Sequence, residues 1–389
     1  MKHWIGIIAA VLLLVVGGGC DVSQLTDKPK TPKPTPDTTT PTQPTDEEPG
    51  GGIAVTDDTL IVPIQETNDV KPDEYKPRLF FNAKFEPRTQ IILGAGQKYM
   101  DCLTDFVASV GTQNKPPLFM FYQAATTDAF YMRREQMGMK AEFDKQGWFV
   151  MPQIGVFMTK DGSPELHYEH HIADSDVFDK HLDTLVKLLK EWNRPVFLRL
   201  GYEFSGEWNG YQPETFKRAW IKIAKKIKQQ GADKQIALVW HYAANAKNKD
   251  YMSYYPGDEW VDWWAISLFT PKVFDEPSLY TFLDDAKTHK KPVMIGESTF
   301  RTIPKPDEEG PIKWQRFFKK YFDLIKKYPQ IKSVCYINLD WNRTRFPAWG
   351  DTRLSQNKDT EQRFVQEISK PIYLKGGNKT ETLQKLDGK

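Results

Sequence analysis

The sequence is short of several things at once. Only three of its 389 residues are cysteine, which excludes a disulfide-stapled miniprotein. Charge of one sign is missing too. The 53 basic residues are met by 51 acidic ones, a net charge of +2, whereas a dedicated nucleic-acid binder carries a clear basic excess. The apolar run Ile5–Val16 is too short to span a bilayer as a helix. A glycine-rich phosphate turn is absent, because Gly94–Gln97 (GAGQ) matches that pattern poorly, and there is no HExxH metal motif. Aromatic residues, by contrast, are abundant, at 12 Trp, 16 Tyr and 23 Phe. Together with a 40% hydrophobic fraction they can build a sizeable core, so wholesale disorder is excluded. Tryptophan also stacks on flat ligands.

The first 20 residues read as an address. Lys2 and His3 precede the apolar run, and three glycines lead to Cys20. This pattern fits a secretory signal. The cysteine directly after small residues resembles a bacterial lipoprotein cleavage box, which implies removal of residues 1–19 and lipidation of Cys20. From Lys28 to Gly52 the chain is polar, with seven prolines between Pro29 and Pro49. Such a segment cannot offset its ordering entropy, and its prolines favour a semi-rigid spacer of about 3 Å per residue. The expected layout is a signal at 1–19, a lipidated cysteine and linker at 20–55, one folded domain at 56–375 and a polar, frayed tail at 376–389. The expected place is the bacterial cell envelope, outside the cytoplasm, with the membrane reached through the lipid.

In the folded part, β-rich runs alternate with helical patterns. The strands expected are Ile91–Gly94, Leu118–Tyr122, Phe149–Val156, Val196–Tyr202, Ile236–Trp240, Trp263–Leu268, Val293–Gly296 and Ser333–Asn338. They are nearly continuous in apolar residues, as strands buried on both faces should be. Amphipathic stretches lie between them at His181–Trp192, Thr215–Gln230, Leu279–His289 and Lys313–Tyr328. Eight such units predict an α/β fold, a closed (β/α)8 TIM barrel, over a doubly wound open sheet.

Chemistry in such a barrel sits at the carboxyl ends of the strands. Glu203 follows the fourth apolar run and Glu297 the seventh, where an unpaired carboxylate would be costly. Alternation places Phe197, Arg199, Gly201 and Glu203 on one face, and Val293, Ile295 and Glu297 on one face. Two carboxylates across a cleft suit cleavage of a glycosidic bond, one protonated and one ionised. Arg199 is a candidate inward cation tuning the site. A structural ion pair at strand ends is the alternative for each glutamate.

Three segments carry a resemblance. RPVFLRLGYEFSGEWNGY (194–211), YYPGDEWVDWWAIS (254–267) and KPVMIGEST (291–299) resemble glycoside hydrolase family 26, the family of β-mannanases and β-1,3-xylanases, within the clan of retaining (β/α)8 enzymes. The resemblance implies that Glu203 is the acid/base and Glu297 the nucleophile, with carboxyl groups about 5–5.5 Å apart. It departs from the family at Tyr202, where His usually precedes the acid/base.

Further candidates for substrate binding are Tyr202, Trp208, Trp240, His241 and Trp341, with Trp341 the first choice of sugar platform. Asn209, Asn338 and Asp340 could bind sugar hydroxyls. Trp263 and Trp264, being adjacent, cannot both face inward. The HYEHH run at 167–171 reads as an exposed loop and not as a metal site. Cys102 and Cys335 could pair, although buried free thiols are the plainer expectation. No metal or organic cofactor is implied, and the partner is a polysaccharide or oligosaccharide, with no nucleic acid and a monomeric chain. The reading that follows is a lipid-anchored retaining endo-β-glycanase acting on mannan, β-1,3-xylan or β-glucan. A non-catalytic cell-surface glycan-binding protein on the same barrel is the alternative.

Overall fold

A computed structural model of the chain describes residues 74–97, 100–160, 163–301, 314–344 and 346–386. The signal segment, Cys20 and the Pro/Thr-rich linker lie outside them. Among the described residues no helix is long and apolar enough to cross a membrane.

Eight strands make the centre: β1 Ile91–Gly96, β2 Leu118–Ala124, β3 Met151–Phe157, β4 Val196–Leu200, β5 Ile236–Tyr242, β6 Trp263–Leu268, β7 Val293–Ser298 and β8 Ile331–Ile337. Each pairs in parallel with the next, and β8 returns to β1 through Ile92↔Ser333 to Gly96↔Ile337. The sheet is therefore a closed barrel, and all eight strands coincide with the apolar runs read from sequence. Their continuous hydrophobicity follows from double burial. In β4, Leu198 and Leu200 face the helix layer while Phe197 faces the barrel interior.

The outer helices are α1 Met100–Val110, α2 Ala129–Asp144, α3 Glu169–Asp174, α4 Asp179–Glu191, α5 Pro213–Gln229, α6 Pro277–Thr288, α7 Phe318–Lys327 and α8 Lys358–Ile368, followed by α9 Lys379–Leu386. The sequence sets the limits of α5 clearly. Pro213 occupies its first turn, where a missing N–H costs nothing. Phe216, Ala219, Trp220, Ile223 and Ile227 form its buried stripe, and Gly231 ends it at φ 65°.

Two expectations are corrected. The β5–β6 connection holds no α-helix. Short 3-10 turns at Met252–Tyr254 and Asp258–Trp260 flank Pro256 and Gly257, whose φ of 112° breaks any helix. Tyr251, Tyr254, Tyr255 and Trp260 do the covering that a helix would do elsewhere. The chain end is also not a wholly frayed tail. Phe149 N–H donates to the Gly377 carbonyl, and α9 places Leu386 in the cluster formed by Ile92, Leu118, Met151 and Phe197. Leu383 and Leu386 recur at helical spacing, a pattern too short to stand out from its polar surroundings.

The same interior cluster contains Trp263, whose indole N–H donates to the Lys84 carbonyl, and Phe85 packs edge-on against Phe197. Trp264 lies in the helix layer instead, as alternation requires of two adjacent tryptophans.

Candidate active site

The lower barrel is apolar, and the chemistry begins one layer higher. Arg199 of β4, Gln153 of β3, His241 of β5 and Ser267 of β6 are all buried. Arg199 Nη1 donates to Glu297 Oε1 at 2.5 Å and to His241 Nδ1 at 3.0 Å. A guanidinium only donates, so His241 Nδ1 accepts and its proton sits on Nε2, which reaches Ser267 Oγ at 2.9 Å. Burial and the neighbouring guanidinium push the His241 pKa well down, which keeps the ring neutral.

Room for this arrangement comes from Gly155. A Cβ there would lie 2.8 Å from the Tyr122 ring, 2.9 Å from Arg199 Nη2 and 3.0 Å from the Tyr202 ring. Those two rings lie within cation–π range of the guanidinium, at 5.7 and 5.1 Å.

Glu297 reaches the mouth by a route that alternation alone does not predict. Val293 and Ile295 pack in the helix layer, and Met294 faces the interior. Straight alternation would turn Glu297 outward with its odd-numbered neighbours. The pairing with β6 instead steps from Ile266↔Ile295 to Ser267↔Glu297, and that with β8 from Val334↔Ile295 to Tyr336↔Ser298. One extra residue, Gly296, thus bulges on β7 and turns Glu297 onto the interior face. Gln153 Nε2 donates to the freed Gly296 carbonyl at 2.7 Å. Both Glu297 oxygens are held, one by Arg199 and the other by the Tyr122 hydroxyl at 2.9 Å.

Glu203 stands just beyond β4. The strand ends at Leu200, and Gly201 and Glu203 adopt left-handed backbone at φ 55° and 53°. A glutamate there is strained. Asn209 Nδ2 braces the turn by donating to the carbonyls of Tyr202 and Glu203, both at 3.0 Å, and Phe204 N–H reaches the His241 carbonyl. The Trp208 indole donates to Glu203 Oε2 at 3.0 Å. Gly206 permits that approach, since a Cβ there would fall 2.4 Å from the Trp208 ring. Burial, followed by the charge of Glu297, pushes the Glu203 carboxyl up to about 8, with Ser267, Arg199 and Trp208 opposing. Its Oε1 is buried without a hydrogen-bond partner.

The remaining candidates separate. Tyr202 and Trp208 lie in the mouth. Trp240 does not, because it alternates with the inward Val239 and His241, is fully buried in the helix layer and stacks on Phe204 at 4.5 Å. His241 is sealed inside the barrel, where its ring meets Arg199 and Ser267 and has no exposed surface. Trp341 belongs to the mouth wall with Cys335 and Ile337 but is only 3% exposed. Its indole donates to Thr352 Oγ1, and its ring packs 4.5 Å from Trp349, so it does not present an open platform.

Asn209 is a brace, and Asn338 Oδ1 accepts from the Leu354 N–H. Asp340 caps a 3-10 turn through the Asn342 N–H. Cys102 and Cys335 are both buried and are not bonded to each other. Residues 167–171 are not a plain exposed loop, since Glu169 is fully buried. Sequence reasoning missed Tyr122, Gln153 and Ser267. Their signal was faint, being polar residues on inward positions of strands otherwise apolar.

Two carboxylates in contrasting surroundings, at the carboxyl end of a (β/α)8 barrel, are the equipment of a glycoside hydrolase. Residues 148–338 match the family model described as glycosyl hydrolase family 26. A β-1,3-xylanase from Vibrio sp. is 28% identical over 223 residues, 51% of this chain and 48% of the relative. Another, from Alcaligenes sp., is 28% identical over 222 residues, 51% of this chain and 47% of the relative. The chain spans about half the length of these curated relatives. Among solved structures, the catalytic domain of an endo-β-1,4-mannanase from Bacillus sp. superposes with a TM-score of 0.56 at 12% identity, covering 82% of this chain and 99% of that one. A β-mannanase from Bacteroides ovatus gives 0.51 at 15% identity, covering 76% and 92%. These structures share the barrel fold. The segment matched by the glycosyl hydrolase family 26 model, residues 148–338, carries both Glu203 and Glu297.

Proposed function

We propose that the chain cleaves internal bonds of a β-linked polysaccharide by double displacement. Glu203, protonated at neutral pH, donates to the leaving oxygen and then activates water. Glu297 attacks the anomeric carbon to give a covalent glycosyl-enzyme. The observation that carries this reading is the opposite treatment of the two carboxyls. Glu203 is buried with one oxygen unpartnered and its pKa raised, whereas Glu297 is paired with Arg199 and Tyr122. β-1,3-Xylan is the first substrate to try, on the strength of the Vibrio and Alcaligenes relatives, with mannan and mixed β-glucan beside it. The N-terminal address supports a chain lipidated at Cys20 and tethered in the bacterial envelope, acting as a monomer.

The test is release of new reducing ends from a panel of these polysaccharides, with the first-formed anomer followed by NMR. Retention on at least one substrate is expected. Inversion would remove Glu297 as nucleophile, and binding without cleavage across the panel would favour the glycan-binding alternative.

A further inference from the structure

A second cluster of chemically able side chains lies away from the catalytic pair. After β3 the chain forms a hairpin, Thr159–Lys160 against Ser163–His167, and then the short helix α3. There His167, Glu169 and His170 bring ligand-capable atoms within 4.8 Å of one another. The Glu169 carboxylate is fully buried. His167 Nδ1 meets its two oxygens at 2.9 and 2.8 Å, and Oε1 also accepts from the Gln212 N–H and the Thr215 hydroxyl, both at 3.1 Å. These last two donors sit at the start of α5 and orient the carboxylate from behind, as supporting partners of metal ligands do. His170 Nδ1 is buried with no hydrogen-bond partner, an expense that coordination would relieve.

We propose that His167, Glu169 and His170 form a binding site for a zinc-class divalent cation that pins the β3 excursion to the start of α5. Two imidazoles and one carboxylate are a borderline-soft donor set that suits zinc, whereas calcium and magnesium require shells of oxygen. The clamp is distinct from the chemistry of Glu203 and Glu297. It would stiffen one wall of the mouth, because α5 directly follows the loop carrying Trp208, and Tyr211 in that loop already accepts from the Met158 N–H at 2.8 Å.

The experiment titrates chelator-stripped, untagged full-length protein with zinc chloride by calorimetry, with calcium and magnesium chlorides in parallel, and follows thermal unfolding. One equivalent of zinc should bind saturably and raise Tm, with no response to calcium or magnesium. His167→Gln and His170→Gln should each weaken zinc at least about tenfold while keeping the wild-type circular dichroism. Absence of saturable zinc binding, unchanged affinity in both variants, or an equal response to calcium would overturn the proposal.

Discussion

The Tyr122 hydroxyl donates to Glu297 Oε2 at 2.9 Å, joining β2 to a carboxylate on β7. With Arg199 on the other oxygen, the Glu297 carboxylate is oriented from two sides by barrel side chains. Tyr122→Phe removes one hydrogen bond to a charged group, which contributes about 1.5–3 kcal/mol. Turnover should therefore fall roughly tenfold to a hundredfold with little change in Tm. Steady-state kinetics on the best polysaccharide checks this, and an unchanged kcat would show that Arg199 alone suffices.

Replacing either glutamate separates the two roles. Glu297→Gln should abolish turnover on every substrate while leaving glycan binding measurable by calorimetry. Glu203→Gln should cost about 10²–10⁴-fold on polysaccharide but far less on an aryl glycoside whose leaving group needs no proton. Equal losses on both substrates would argue against Glu203 as the acid.

The raised pKa of Glu203 has a thermodynamic sign. A carboxyl whose folded pKa lies above its unfolded value favours the folded state while both are protonated. That advantage is lost as pH rises from the ordinary carboxylate range to about 8. The wild type should therefore lose stability on the order of a few kcal/mol across that window, and Glu203→Gln should remove most of the loss. Thermal melts of both proteins from pH 4 to pH 9 read it directly. Activity that depends on the protonated acid should decline on the alkaline side of the same window.

Gly155→Ala tests the packing beneath the site. The new methyl would press on Tyr122, Arg199 and Tyr202 at 2.8–3.0 Å. The expected cost is about 1–3 kcal/mol of stability, with a larger proportional loss of kcat than any simple weakening of the fold explains. Kinetics normalised to folded protein separates the two effects.

Asn209→Ala removes both bonds that brace the left-handed Glu203 turn. It should destabilise by about 1–3 kcal/mol and lower kcat more than it raises KM. A pure KM effect would instead support the sugar-binding role expected from sequence.

The barrel was legible because doubly buried parallel strands leave long apolar runs, and Glu203 and Glu297 were legible because a carboxylate directly after such a run is expensive unless used. What the sequence concealed was orientation. Straight alternation groups Glu297 with Val293 and Ile295, and only the Gly296 bulge separates them. Trp240 reads as a strand-end aromatic, but its face is decided by His241 and Val239 turning inward. Tyr122 and Ser267 become site residues only when β2, β6 and β7 come together around Arg199, which no local window reveals. Residues 167–171 read as polar loop because the partners that bury Glu169, Gln212 and Thr215, lie more than forty positions away.

The bulge on β7 also makes the direction of Glu297 a matter of register. Straightening the bulge without changing the strand's length would leave composition, hydrophobicity and barrel closure nearly unchanged while turning the carboxylate of Glu297 toward the helix layer, whereas deleting Gly296 would restore even pairing and keep Glu297 opposite Ser267. A substitution at Gly296 that straightens the strand should therefore produce a folded, sugar-recognising barrel without turnover, while deletion of Gly296 should retain the inward carboxylate. A catalyst and a lectin-like descendant could differ by one codon, and comparing the β6–β7 register at this position would sort one from the other before any assay.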